Sequence, residues 1–243
     1  MVDQPVLLVT GGSQGIGAAI ARLAAARGWA VCLSYSSGAT EADSVVAAIT
    51  AHGGKALAVR ADAADEHATT RLFQQAATLG PITGVVINAG TTGPVSRIDA
   101  MGTDALDRVL AINVRGAYLT LREATRTMKT GAIVAISSRA STLGGPGEWV
   151  HYAASKGALD SMVIGASKEL APLGIRVNAV APGLIDTEIH AKAGLPDRIA
   201  QLGASVPIGR AGTPDDVARV VLWLLSDEAA YVTGAIVPVS GGR

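Results

Sequence analysis

Seven short apolar runs, rich in Val, Ile and Leu but without strict alternation, constrain this chain more than any other feature. They occupy residues 5–10 (PVLLVT), 29–35 (WAVCLSY), 55–62 (KALAVRAD), 82–90 (ITGVVINAG), 131–138 (GAIVAISS), 175–183 (IRVNAVAPG) and 235–242 (AIVPVSGG). A strand with one wet face alternates apolar and polar residues, whereas a strand buried on both faces reads as a continuous apolar run. Between the runs lie patterns of helical period at 15–28, about 40–53, 65–79, 104–128, 152–173 and 214–226. Asp65 opens one of these, and Thr213-Pro214-Asp215-Asp216 opens another. Alternation of this kind predicts an α/β fold, a doubly wound parallel sheet with right-handed crossovers and about seven strands.

No linker, low-complexity tract or repeat interrupts the 243 residues, so one domain over 1–243 is expected. The least regular stretch, 186–213, follows a strand end. Open α/β sheets bind ligands outside the carboxyl ends of their strands, so this excursion is a candidate substrate lid.

Composition narrows the function classes. Lys plus Arg equal Asp plus Glu at 20 each, which argues against a nucleic-acid or acidic-membrane surface. The single cysteine, Cys32, sits in an apolar run, forms no intrachain disulfide and fits a reducing, cytoplasmic setting. His52, His67, His151 and His190 are scattered, so no metal site is expected. The N-terminal stretch MVDQPVLLVTGG lacks the basic start and cleavage site of a signal peptide, and no apolar run has the length of a membrane span.

The first strand ends in TGGSQGIG, Thr10 to Gly17. Glycines at 11, 15 and 17 let backbone approach a pyrophosphate, and the helix that follows presents free N–H groups and its positive dipole end. The fourth strand ends in Asn88-Ala89-Gly90, and Asn113 interrupts a helical pattern that it suits poorly. Ser137 and Ser138 close the fifth strand. Tyr152 and Lys156 in HYAASKG are one helical turn apart and therefore neighbours on one face. A free tyrosine titrates near pH 10, and an adjacent cation lowers that value. Ser138 could then hold a carbonyl or alcohol oxygen while Tyr152 exchanges its proton. Each motif alone is ordinary, since Tyr-x-x-x-Lys is common on surface helices.

Taken in order, TGGSQGIG, INAG, Asn113, Ser138, YAASK and PGLIDT at 182–187 resemble the short-chain dehydrogenase/reductase family, from about residue 5 to the C-terminal VSGG. The resemblance implies a Rossmann-type sheet and an NAD(P)(H)-dependent oxidoreductase that interconverts a carbonyl and a secondary alcohol. It makes Ser138 the substrate-orienting serine, Tyr152 the acid/base, and Lys156 the lysine that lowers the tyrosine pKa and holds the nicotinamide ribose. Asn113 matches the asparagine that holds a relay water. Gly11, Ser13, Gln14, Gly15, Ile16 and Gly17 fall in the pyrophosphate loop. Asp62, with Ala63, resembles the aspartate at the adenine, and Asn88, Ala89 and Gly90 match the turn against its ribose. Pro182, Gly183, Ile185 and Thr187 match the segment at the nicotinamide carboxamide. Two departures stand out: INAG places Ile87 where an asparagine is usual, and the loop between Ser138 and Tyr152 is one residue longer than in many relatives. The second leaves a choice between Ser137 and Ser138, resolved here for Ser138. A catalytically silent dinucleotide-binding regulator or scaffold is the alternative, and the complete set of four residues argues against it.

NADP(H) is expected to be preferred over NAD(H). An NAD-selective site carries an acid after the second strand, and here Tyr35, Ser36 and Ser37 stand instead, with no Asp or Glu from 30 to 40. The preference is expected to be modest, because no basic residue stands in that loop and Gln14 occupies a place where NADP-users often have one. The expected partner is a small-molecule carbonyl or alcohol. Arg139, Thr142, Leu143, Gly144, Trp149, His151 and His190 are the candidate pocket residues. Trp149 and Leu143 suggest an apolar wall, and the two histidines are expected to face solvent. A homotetramer or homodimer is implied by the resemblance, with Trp223 in the subunit interface or in the monomer core.

Overall fold

Strand β1 (Val6–Val9) sends Leu7 and Val9 to one face of the sheet and Val6 and Leu8 to the other, and all four are fully buried. This two-sided burial is the reason its sequence does not alternate. The remaining strands are β2 (Ala30–Tyr35), β3 (Ala56–Arg60), β4 (Ile82–Ile87), β5 (Gly131–Ile136), β6 (Ile175–Pro182) and β7 (Ile236–Val239). They form one parallel sheet in the order β3-β2-β1-β4-β5-β6-β7, a Rossmann-type α/β fold. The computed structural model describes residues 4–243; residues 1–3, the start of the stretch judged not to be a signal peptide, lie outside the described residues.

Among the described residues the helices are α1 (Gly15–Ala26), α2 (Ala39–Ala51), α3 (Glu66–Ala77), α4 (Thr103–Leu110), α5 (Ala117–Thr127), α6 (Ala140–Leu143), α7 (Val150–Leu170), α8 (Ile189–Lys192), α9 (Arg198–Leu202) and α10 (Pro214–Leu225). Helices α1, α2 and α10 bring Ile20, Val45 and Val221 onto one face of the sheet. Helices α3, α5 and α7 bring Leu72, Ala124 and Leu159 onto the other. The Asp65 carboxylate caps α3 by accepting from the Ala68 N–H, and Thr213 and Asp216 form a reciprocal capping box on α10. No helix among the described residues is long and apolar enough to cross a membrane.

The pattern over 104–128 is three pieces rather than one: α4, a π-helical turn Ala111–Gly116, and α5. The wider turn carries Asn113 inward, where it is 1% exposed. Gly116 belongs there sterically, because a Cβ would stand 2.9 Å from the Ala63 carbonyl oxygen. Helix α7 starts two residues before the expected 152 and ends at Leu170, followed by a 3₁₀ turn Ala171–Leu173. Pro172 has no N–H with which to continue the ladder.

Strand β7 lies at the sheet edge, where Pro238 removes no needed hydrogen bond. The excursion 186–213 folds into α8, α9 and a 3₁₀ turn Gly203–Ser205. Its base is closed by two 2.9 Å bonds, Gly212 N–H to the Leu184 carbonyl and Asp186 N–H to the Gly212 carbonyl.

Candidate active site

The strand order reverses between β1 and β4, and the crevice at their carboxyl ends is where such sheets receive ligands. Leaving β1, the chain turns through Gly11 at φ +64° and Gly15 at φ +54°, left-handed values that exclude most side chains. Asn88 braces the turn, since its Nδ2 donates to the carbonyls of Thr10 and Gly11 at 2.9 and 2.8 Å. Thr10 Oγ1 in return accepts from the N–H groups of Asn88 and Ala89. At Gly17 a Cβ would lie 2.4 Å from the Gly11 oxygen and 2.6 Å from Asn88 Nδ2. Gly17 is thus the packing glycine that lets α1 approach the sheet, and it does not line the cleft.

A single cleft of about 910 Å³ runs from this turn in both directions. Gly11, Ser13, Gln14, Gly15 and Ile16 form its floor; Tyr35, Ser36, Ser37, Asp62 and Ala63 line one end. Asn88, Ala89, Gly90, Pro182, Gly183, Ile185 and Thr187 line its middle, and Ser138, Tyr152 and Lys156 the other end. Glycines without Cβ atoms, hydroxyl groups and a helix N-terminus along one long groove suit a dinucleotide with its pyrophosphate at the start of α1.

Because α7 begins at Val150, Tyr152 stands in its first turn and Lys156 one turn later, beside the end of β5. Lys156 Nζ lies 5.7 Å from the Tyr152 ring centroid and donates to the Ile136 carbonyl at 2.7 Å. Burial lowers the lysine from 10.5 to about 8, opposed by the negative charge of Asp160. Burial also raises the Tyr152 phenol, an effect only partly offset by its hydrogen bond with Ser138. The sequence leads one to expect a tyrosine lowered by its lysine; in the structure burial is the largest influence and the phenol is raised.

The two serines point to different partners. Ser138 faces Tyr152 closely enough to lower its pKa and accepts from the Ala140 N–H, whereas the Ser137 hydroxyl donates to Asp160. Asn113 lies behind the cleft wall and does not line it. Its Oδ1 accepts from the Thr91 N–H, and its Nδ2 donates to the Thr91 carbonyl and Ser155 Oγ, at 2.8 to 2.9 Å. It thereby ties the loop after β4 to α7.

Of the candidate pocket residues, Arg139, Leu143, Trp149 and His190 line the cleft, while Thr142, Gly144 and His151 do not. Neither histidine is placed as expected. His151 is buried, with Nε2 2.9 Å from the Thr92 carbonyl, because α7 starts early and turns it inward. His190 is half-buried under the excursion, with Nε2 3.1 Å from the Ile185 carbonyl, and burial lowers its pKa.

Several cleft residues carry no signal in the sequence. Arg108 pairs with Asp62 at 2.9 Å; together with the Ala64 N–H this overcomes the effect of burial and holds the Asp62 carboxyl below its usual range. Lys192 Nζ donates to Gln14 Oε1 at 2.7 Å, from a position 178 residues away. Arg198 makes a bidentate pair with Glu148 at 2.9 and 2.7 Å and stacks over Trp149, 4.6 Å from the ring centroid. No local pattern predicts these pairs, since each partner comes from a different part of the chain.

A family profile described as "Enoyl-(Acyl carrier protein) reductase" matches residues 11–243. An Escherichia coli protein named uncharacterized oxidoreductase YgfF is 42% identical over 98% of this chain and 99% of its own length. An L-rhamnose 1-dehydrogenase (NAD(P)(+)) of Azotobacter vinelandii is 40% identical over 100% of this chain and 97% of its own. The solved structure of a short-chain dehydrogenase/reductase from Serratia marcescens superposes with a TM-score of 0.91 at 38% identity, covering 98% of this chain and 97% of that one. The chain belongs to the short-chain dehydrogenase/reductase family and is an oxidoreductase.

Proposed function

We propose that the chain is a single-domain NAD(P)(H)-dependent oxidoreductase that interconverts a small-molecule carbonyl and a secondary alcohol. The observation that carries this reading is the meeting of Ser138, Tyr152 and Lys156 in the cleft that begins at the glycine turn. A bound nicotinamide dinucleotide supplies or accepts the hydride. Ser138 holds the reacting oxygen by a hydrogen bond. In reduction Tyr152 gives its proton to that oxygen, and its raised pKa keeps the proton in place at neutral pH. In oxidation the phenol must first ionise, and a charged Lys156 stabilises the phenolate. Asn113 holds the loop and helix that frame the lysine.

Preference for NADP(H) over NAD(H) is supported by the hydroxyl-bearing Tyr35, Ser36 and Ser37 at the cleft end and by the lack of a carboxylate among them. Lys192, at Gln14, adds a cation the glycine turn lacks. The relative named for L-rhamnose and NAD(P)(+) supports tolerance of both cofactors, and a 40% identical relative named cis-4-hydroxycyclohexanecarboxylate dehydrogenase supports a secondary alcohol as substrate.

Tyr152→Phe is the test. It should cut turnover by roughly 10²- to 10⁴-fold while dinucleotide binding, followed by fluorescence, stays close to the parent's. Parent kinetics with NADPH and with NADH on one accepted ketone complete it. Near-normal reduction by the Phe variant would sink the mechanism, and a higher kcat/KM with NADH would overturn the cofactor order.

A further inference from the structure

Lys192 is the last residue of α8, and its side chain reaches the glycine turn from the excursion. Its Nζ donates to Gln14 Oε1 at 2.7 Å and lies 3.4 Å from Glu188 Oε2, one helical turn earlier. Lys192, Gln14 and Glu188 all line the cleft, and the lysine side chain is 57% exposed. The backbone makes the same approach. A Cβ on Gly15 would lie 3.5 Å from Thr187 Cγ2, so the segment leading into α8 stands against the turn.

The amide that holds Lys192 sits at the start of α1. Gln14 immediately precedes Gly15, yet its side chain does not cap the helix, and no acid stands in the first helical turn. The free N–H groups and positive dipole end of α1 are thus left for an anion. An ammonium has three N–H donors and bonds an ionised oxygen about twice as strongly as a neutral one. The Gln14 amide is therefore a modest partner for Lys192. Glu188 is a loose one, since charge-assisted bonds of this kind run at about 2.7–2.9 Å.

We propose that Lys192 is a phosphate ligand of the bound dinucleotide: its ammonium leaves Gln14 for a phosphate oxygen, and the excursion is thereby held over the cofactor. This rests on the dinucleotide reading above. The pyrophosphate and the 2′-phosphate of NADP(H) share the chemistry, and the turn adjoins the places of both. Gly15 opens α1, while Ser13 Oγ would lie 3.9 Å from a Cβ on Gly38, in the loop that follows Tyr35, Ser36 and Ser37.

The test is fluorescence titration with NADPH and, separately, NADH of the parent, Lys192→Gln, Lys192→Arg and Glu188→Gln, at low and high salt. Lys192→Gln should raise Kd by roughly 3- to 10-fold at low salt, as expected for one exposed charge contact, and the gap should narrow as salt screens it. Lys192→Arg keeps the charge and should recover most of the loss. Glu188→Gln removes the carboxylate that competes for the ammonium and should lower Kd; a rise would show that the ion pair merely pins the excursion and would overturn the proposal. Equal losses with both dinucleotides assign the contact to the pyrophosphate, and a loss confined to NADPH assigns it to the 2′-phosphate. An unchanged Kd in Lys192→Gln for both, with any loss falling on KM for the carbonyl, would also overturn it. Melting temperatures equal to the parent's confirm that the variants fold. A parent that binds neither dinucleotide would instead mark failure of the reading beneath.

Discussion

Lys156 is the residue on which the chemistry turns, and its charge is set by a contest. Burial pulls its pKa from 10.5 to about 8, and Asp160, one turn further along α7, pulls it back up. The lysine is charged below about 8 and loses its charge as the pH rises through that value. Removing the negative charge in Asp160→Asn must therefore lower the lysine further, so that its charge disappears at lower pH. In the proposed oxidation direction the phenolate then loses its counter-charge earlier. The alkaline limb of kcat/KM for alcohol oxidation, measured from pH 6 to 10, should move toward acid by roughly one unit. Ser137→Ala removes the hydroxyl that donates to Asp160 without touching the charge, and should leave the limb in place. A limb unmoved in Asp160→Asn would show that Lys156 does not govern it. Tyr152 and Lys156 were readable from their spacing in the sequence; Asp160 was not, because a carboxylate at i+4 from a lysine reads as an ordinary surface pair until α7 is seen to set Lys156 at the Ile136 carbonyl and Asp160 at the Ser137 hydroxyl, beside the end of β5.

At the scale of elements, the glycine turn and α1 act as one unit with β4. Asn88 holds the turn, and Gly17 lets the helix come within contact of it. Gly17→Ala would place a methyl group 2.4 Å from a backbone oxygen that cannot swing away. Overpacking of this kind costs about 1–3 kcal/mol, which for a chain of this size is a melting-temperature loss of roughly 2–10 °C. Dinucleotide affinity should fall with it, since the turn must open to make room. Calorimetry and a fluorescence titration check both, and an unchanged melting temperature would contradict the packing. The TGGSQGIG string showed that glycines were needed here, but it did not show which glycine meets a ligand and which meets the protein. The π-helical turn at Ala111–Gly116 was hidden for a related reason. Its residues keep a helical period, and only packing against Thr91 and Ser155 decides that Asn113 turns inward.

For the molecule as a whole, Tyr118, Ile164 and Trp223 stand exposed on α5, α7 and α10. Trp223, left open between core and interface by the sequence, is 37% exposed and so is not a core residue. Large apolar residues exposed on three helices and an edge strand at β7 favour closed symmetric assembly. We expect light scattering at micromolar concentration to give a homotetramer of four 24.4 kDa chains, with a homodimer as its stable half. A monomer only would overturn this expectation.

The sequence by itself determined the order and kind of the elements, because two-sided burial forbids polar residues in a central strand and helical period marks what covers it. It also determined the glycine turn and the Ser–Tyr–Lys set, whose chemistry depends on residue type and short spacing. Only the tertiary structure decided the environment of those groups. Burial raises Tyr152 and lowers Lys156, and long-range contacts bring Lys192 to Gln14 and Arg198 to Glu148. The fold likewise leaves Trp149 and His190 with unspent hydrogen-bonding atoms. Desolvation and distant pairing depend on what the rest of the chain removes from water, and no local string of residues carries that information.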